Sequence, residues 1–363
     1  MSILVYLDTG DLARLEIGQR TSPHEVTAFF TQWHELDCEL ALTLHHAMEV
    51  AQIETEKMRR QRLDLLSRFK NVRFEGSGSD RVLRMEIETQ LVARLNEETA
   101  DYSRLRHALF SPSSVEVFEQ YLKASGDLLR RFRAPIQMGT DARNASRGLK
   151  RPFGLKRLQS SSIDLDAVRE QMEAALEAED LEPAARNVMR ALFANLSQHL
   201  RRTGDVRAAM EASLGLDAVD CVRELSDEEL SIVGTFFAIA FEVGEQAAAQ
   251  TGQTEQLRNV VATLAPFDCP SFRITAALTR GQDDSPKPGE PSDDPDRDHA
   301  AFIPYVDVAF VDRRTAGFLE QDARRKGGRL ARTDIAHVCR STSIGKLMDS
   351  VKRIVQPMPD ATI

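Results

Sequence analysis

Asp293-Asp294-Pro295-Asp296-Arg297-Asp298-His299-Ala300-Ala301-Phe302-Ile303-Pro304-Tyr305-Val306-Asp307-Val308-Ala309-Phe310-Val311-Asp312-Arg313-Arg314-Thr315 is the stretch on which the fold turns. It reads as an acidic start, a short helix, a Pro304-Tyr305 turn and then a brief apolar run from Val306 to Val311. A run that short, rich in β-branched residues and bounded by polar ones, predicts a buried strand. Asp307 and Asp312 fall at its two ends, and a strand is a rigid mount for a carboxylate.

A second strand is expected at the other end of the chain. Ser2 to Leu7 is rich in Ile, Val and Tyr and stops at Asp8-Thr9-Gly10, which places Asp8 at a strand's carboxyl end. In open α/β sheets that edge is where ligands bind. Taken alone, Asp8 reads more simply as the cap of a helix over 11 to 17. Ser22-Pro23-His24-Glu25 is a helix start, with the helix expected to run to about Glu35. A further helix is expected from Leu40 to Ile53. There Glu49 emerges among Met48, Val50 and Ala51, where an acid needs a partner or a cation. Unless it is tied to other acids it reads as a surface glutamate. His45 and His46 are neighbours on that helix and so point apart, which disfavours a shared metal.

The middle of the chain is nearly all helical in pattern. Glu54 to Arg73 is basic, and Gly76 to Ser79 is a break. Helical spacing then recurs over 81–95, 115–132, 163–179, 183–201, 206–214, 227–250 and 255–264 without a fixed repeat period. Asp141 to Arg157 interrupts it with Arg143, Arg147, Lys150, Arg151, Lys156 and Arg157 around Phe153. That composition suits a nucleic-acid backbone with a base stacked on the ring, and it suits a solvated linker equally. After Asp312 come a helix (Arg313 to Lys326), a Gly327-Gly328 turn, a strand near Ile335 to Cys339 and a last helix from Ser343 to Ile354. Arg324, Arg325, Lys326 and Arg329 form a second basic cluster.

Composition bounds the function. The 363 residues, 42% hydrophobic and 28% charged, are those of an ordinary globular protein large enough for two domains or one with an insertion. A net charge of -9 argues against a generic polyanion binder, leaving local basic patches to do that work. Four cysteines far apart in sequence give neither a zinc ribbon nor a disulfide framework, and a reducing cytoplasm is expected. Met1 leads directly into the first strand without a basic leader, and the longest apolar run, Leu230 to Val243, is too short to span a bilayer. No membrane association is expected.

Taken together, an acid after the first strand, one in an early helix and several around a late strand make a set of carboxylates that a hard cation, Mg²⁺ or Mn²⁺, would stabilise. Such sites activate water for attack on a phosphodiester. In order, Val5-Tyr6-Leu7-Asp8, Leu42-Thr43-Leu44-His45-His46-Ala47-Met48-Glu49 and the segment from Asp296 to Asp312 resemble the acidic motifs of PIN-like domain nucleases. The resemblance implies an α/β/α sandwich around a short parallel sheet, built from 1–53 and 291–363, with 54–290 as a large, mostly α-helical insertion. It also implies a metal-dependent ribonuclease, toxin-like or defence-related. Asp8, Glu49, Asp296 and Asp312 would be the metal ligands and, with Asp307, the catalytic acids. Asp293, Asp294 and Asp298 lie within reach of the third position. Val311 stands where the family often has Thr or Ser. Arg313 and Arg314, with the basic loop, would face RNA, or DNA if the sugar is not read. An inhibitor protein and a homo-oligomer are the other partners the resemblance suggests. The competing class is a catalytically silent RNA- or protein-binding module on a helical scaffold, in which the four acids would scatter over the surface.

Overall fold

The computed structural model describes residues 2–131, 227–252, 254–285 and 293–355. Its organising element is β1 (Ile3–Leu7), whose five residues are all buried. Ile3, Val5 and Leu7 face one apolar core, and Leu4 and Tyr6 face another. A strand covered on both faces reads as a continuous apolar run, and it belongs in the middle of a parallel sheet.

The other strands are β2 (Cys38–Thr43), β3 (Val72–Glu75), β4 (Ser111–Ser113), β5 (Val308–Val311) and β6 (Val338–Arg340). They form a six-stranded sheet in the order β4-β3-β2-β1-β5-β6. All neighbours are parallel except β4, which closes the β3 edge antiparallel. From β1 the chain steps outward to β2 and β3, then returns to the far side of β1 as β5 and β6. The sheet therefore has its topological switch point between β1 and β5, where the loops diverge and leave a crevice at the carboxyl edge.

Helices cover both faces. On the Ile3–Val5–Leu7 side lie α1 (Thr9–Thr21), α2 (Pro23–Glu35), α3 (Leu44–Gln52), α4 (Glu56–Leu66), α7 (Val115–Arg131) and α13 (Ile344–Val355). Phe29, Phe30, Trp33 and Phe69 form the aromatic heart of that core, with ring centroids 4.9 to 6.2 Å apart. On the Leu4–Tyr6 side lie α5 (Ser79–Leu95), α6 (Leu105–Leu109), α10 (Pro270–Asp284), α11 (Asp293–Ala300) and α12 (Arg313–Arg324). Glu86 of α5, fully buried, accepts from the Ser271 N–H at 2.7 Å and the Ser271 hydroxyl at 2.5 Å, and it also takes the Tyr305 hydroxyl. One buried acid thus caps α10 and fixes the Pro304-Tyr305 turn. The result is an α/β/α sandwich on a mostly parallel sheet.

The chain divides into two compact units, one of 1–90, 99–143 and 267–363, the other of 91–98 and 144–266. Two segments expected within the helical insertion over 54–290 are strands of the sheet instead. β3 pairs with β2, Leu40 opposite Val72, and β4 pairs with β3, so both belong to the sheet. The helix expected from Leu40 is also divided, because Cys38–Thr43 is β2 and the helix begins only at Leu44. In the second unit the described helices are α8 (Asp227–Thr251) and α9 (Thr254–Ala262), which bury Phe236, Phe237, Val243, Leu257 and Val261. Gly244 allows their close approach, since a Cβ there would stand 2.7 Å from Val261 Cγ2. Cys38, Cys269 and Cys339 are buried free thiols. Among the described residues no helix is long and apolar enough to cross a membrane.

Candidate functional site

Asp8 follows β1 and Asp312 follows β5, so the two carboxylates flank the switch point. The Asp8 N–H donates to the Phe310 carbonyl at 3.1 Å, which continues the β1–β5 ladder to the crevice. Each acid also caps the helix that leaves it. Asp8 Oδ1 accepts from the Thr9 N–H at 2.8 Å at the start of α1. Asp312 Oδ1 accepts from the N–H groups of Arg314 at 2.6 Å and Thr315 at 3.2 Å at the start of α12. Capping and placement at the crevice are one geometry, because in a parallel sheet each helix starts where its strand ends.

Glu49 arrives on α3, which begins directly after β2, the strand beside β1. Its Oε2 is buried without a hydrogen-bond partner. Burial pushes the carboxyl up to about 7. The Thr9 hydroxyl beside it, itself outside hydrogen-bonding geometry, holds part of that rise back, the charge of Asp8 adds to it, and Arg62 opposes it. Asp8 is likewise pushed up to about 6, first by burial and then by Asp11 and Asp312, against the Thr9 N–H and Arg14.

Asp11, which sequence reasoning passed over, is fully buried in the first turn of α1. It accepts from the Ser341 hydroxyl at 2.6 Å and from Arg14, which also donates to the Thr342 carbonyl at 2.9 Å. The signal was present: Asp8 and Asp11 stand at i, i+3, the spacing that puts two side chains on one side of a helical turn. Asp296 of α11 joins the same group. Burial, followed by the charges of Asp8, Glu49, Asp296 and Asp11, pushes the Tyr6 hydroxyl well above its ordinary range. Asp298 is engaged elsewhere, accepting from the Ser79 hydroxyl at 2.8 Å with His45 Nδ1 4.0 Å away. The side chains of Asp293 and Asp294 lie outside the described residues.

Under the acids lies a buried polar floor. His46 Nδ1 accepts from the Thr43 N–H at 3.0 Å, so the proton is on Nε2, which donates to the Leu7 carbonyl at 2.9 Å. That arrangement caps α3 and ties it to the end of β1. It requires a neutral ring, and burial holds His46 down at about 4. The Tyr6 hydroxyl pairs with His299 Nδ1, and the His299 ring meets those of His45 and His46 at centroid distances of 4.4 and 5.2 Å. Burial keeps His299 neutral as well, its pKa held well below the ordinary value.

Asp307 is not part of this group. It precedes β5 and so sits at the amino edge of the sheet, about 16 Å from Asp312 at strand rise. Its Oδ2 accepts from the Leu4 N–H at 2.7 Å, its own N–H donates to the Leu4 carbonyl at 2.8 Å, and Arg106 donates to Oδ1 at 2.5 Å. Asp307, expected among the catalytic acids, thus clamps the starts of β1 and β5 at the edge opposite Asp8 and Asp312. Arg313 is exposed at the first position of α12, and the Arg314 guanidinium lies 5.4 Å from the Phe318 ring centroid. The loop carrying Arg143, Arg147, Lys150, Arg151, Lys156 and Arg157 lies outside the described residues.

Asp8, Asp11, Glu49, Asp296 and Asp312 thus make an open set of like charges around the end of β1. Among the described residues no three side chains of His, Cys, Asp or Glu are gathered closely enough to hold an ion. Buried carboxylates that repel one another can take up protons, as the raised pKa values of Asp8 and Glu49 express, or share a cation. Comparison of the chain with protein-family models, with curated proteins and with solved structures finds no match.

Proposed function

We propose that the chain is a metal-dependent nuclease of PIN-like architecture that hydrolyses phosphodiester bonds in RNA. The observation that carries this reading is the placement of Asp8 and Asp312 on either side of the switch-point crevice, with the buried Glu49 carboxylate within electrostatic reach of Asp8. Burial and the charge of Asp8 raise the Glu49 carboxyl, burial with Asp11 and Asp312 raises that of Asp8, and Glu49 Oε2 is left without a partner. A buried carboxylate oxygen with no donor is costly unless something else binds there. Asp8, Glu49, Asp296 and Asp312 are the residues that would hold Mg²⁺ or Mn²⁺, all-oxygen donors that suit a hard ion. Such an ion supplies a bound water of lowered pKa and a Lewis acid for the phosphate.

The chain's own groups do the rest. The backbone N–H groups of Thr9, Arg314 and Thr315 hold the two capping carboxylates in fixed orientations. α1 and α12 both begin at the crevice, and their amino ends offer partial positive charge to a phosphate. Arg313, exposed at the head of α12, is the nearest exposed cation along the chain to Asp312, and it balances charge on the scissile group. The buried floor of Tyr6 and the neutral histidines keeps α3 and β1 in register, so that Glu49 and Asp8 stay opposed. The reducing-compartment chemistry of three buried free thiols agrees with a cytoplasmic enzyme.

The test is cleavage of labelled single-stranded RNA and DNA by wild type and Asp8→Ala, each with Mg²⁺, Mn²⁺ or EDTA. Cleavage by wild type that disappears both with EDTA and in Asp8→Ala is the expected result, and the substrate cut names the sugar. Folded wild type that cuts neither polymer with either metal overturns the reading in favour of a silent binding module.

A further inference from the structure

Along α12 and the end of β6 the surface carries a groove of about 580 Å³, lined by Asp284, Glu320, Gln321, Arg324, Arg325 and Arg340. We propose that this groove holds the phosphate backbone of a single-stranded RNA whose scissile phosphate lies at the carboxylates, an inference that rests on the nuclease reading. Three observations converge on it.

The first is chemistry. Three guanidinium groups converge on one opening, a density that neither the net charge of -9 nor the sheet requires. Each is held by a surface carboxylate: Arg325 by Asp284 at 2.7 Å, Arg340 by Glu320 at 2.8 and 3.0 Å, and Arg324 by Glu320 at 3.2 Å. Exposed pairs of this kind are weak and exchange readily. The planar arginine fork binds phosphate oxygens bidentately as well as it binds a carboxylate, so the acids pre-orient the forks without blocking them.

The second is position. Arg340 ends β6 in register with Val311, the residue before Asp312. Gly317 to Arg324 lie about 8 to 18 Å along α12 from Asp312, at 1.5 Å of rise per residue. A stacked strand advances about 3.4 Å per nucleotide, so the groove meets phosphates about two to five nucleotides from the cut. The third is access. A Cβ on Gly317 would meet nothing within 4 Å, so this wall of the groove opens to solvent and a bulky strand can lie against it.

The experiment measures binding separately from cleavage. Anisotropy of a labelled 12-nucleotide single-stranded RNA in EDTA is read for wild type, for the triple variant Arg324→Ala/Arg325→Ala/Arg340→Ala, and for Gly317→Glu. The glutamate adds a charge to the groove where there is room for it. The triple variant is expected to bind at least about 10-fold more weakly and to lower the slope of log K against log salt by about 2, three phosphates at about 0.7 each. Gly317→Glu is expected to weaken binding in the same direction with an unchanged far-UV spectrum and melt. The double variant Asp284→Asn/Glu320→Gln, which frees the forks, is expected to tighten it. Both groove variants binding as wild type, or poly-glutamate displacing the RNA as effectively as unlabelled RNA, overturns the proposal. Wild-type cleavage with Mg²⁺ or Mn²⁺ is scored apart. Weakened binding without wild-type cleavage keeps the groove and sinks the nuclease reading, and cleavage with unweakened binding does the reverse.

Discussion

Glu49→Gln isolates the central electrostatic claim. A folded-state carboxyl at about 7 against an ordinary 4.5 holds its proton more tightly than the unfolded chain does. The native state therefore binds more protons between those two values, and stability falls as pH rises through that window. The penalty from Glu49 works out at about 1 kcal/mol at pH 5 and about 3 kcal/mol at pH 8, nearly constant above pH 7. Glutamine removes the charge at similar volume, so the variant should gain about 2 to 3 kcal/mol more, relative to wild type, at pH 8 than at pH 5. For a unit of this size that is a rise in Tm of about 5 to 10 °C. The chain's single tryptophan, Trp33, is fully buried in α2 of the sheet unit, so its fluorescence reports urea unfolding of the part in question. Midpoints are measured for both proteins at pH 5 and pH 8 in EDTA. A variant destabilised equally at both pH values would show that Glu49 contributes packing and not a buried charge, and the argument for a cation site would lose its main support.

Four other outcomes are expected. Wild type at pH 8 should be stabilised by Mg²⁺ or Mn²⁺, by about 2.7 kcal/mol at a hundredfold excess over Kd, and Glu49→Gln by distinctly less; equal shifts in urea midpoint would count against Glu49 as a ligand. Asp312→Ala removes the acceptor of the Arg314 and Thr315 N–H groups, so it should cost about 1 kcal/mol in the same assay and abolish cleavage. Asp307→Ala leaves Arg106 and the Leu4 N–H without their partner and should cost about 2 kcal/mol while cleavage per folded molecule persists; lost turnover in a folded variant would return Asp307 to the site. Gly18→Ala drives a Cβ into Ile344 Cδ1 and to 2.9 Å from Val26 Cγ2, an overpacking worth about 1 to 3 kcal/mol by thermal melt.

Which of these features were legible in the sequence follows from how each signal is bounded. β1 and β5 are apolar runs closed by Asp8 and Asp312, and the polar stops that mark them as strands are the same residues that cap the following helices. β2 was hidden because Cys38–Thr43 runs into α3 with neither Gly nor Pro between them; the break is made by Thr43 and His46 bonding across the junction, which periodicity does not register. β3 was hidden by the basic stretch before it, since a strand of four residues, two of them only half-buried, shows little alternation. Asp11 was missed because its burial depends on Ser341, far along the chain.

Asp307 is the instructive case, because the strand it precedes is legible in the sequence and the edge on which it falls is not legible from that strand alone. Both ends of β5 bear an acid, and the sequence offers both as catalytic, Asp312 also as a metal ligand. In a parallel sheet all carboxyl ends lie on one edge and all amino ends on the other. Once β1 and β5 are taken as parallel neighbours, an acid before β5 must sit beside the start of β1, where Leu4 is, and away from Asp8. That inference needs only strand direction, which the expected parallel sheet already supplied. An acid's place at the end of a strand is thus informative only together with which end it is: Asp8 and Asp312 lie on the carboxyl edge, and Asp307 lies on the amino edge.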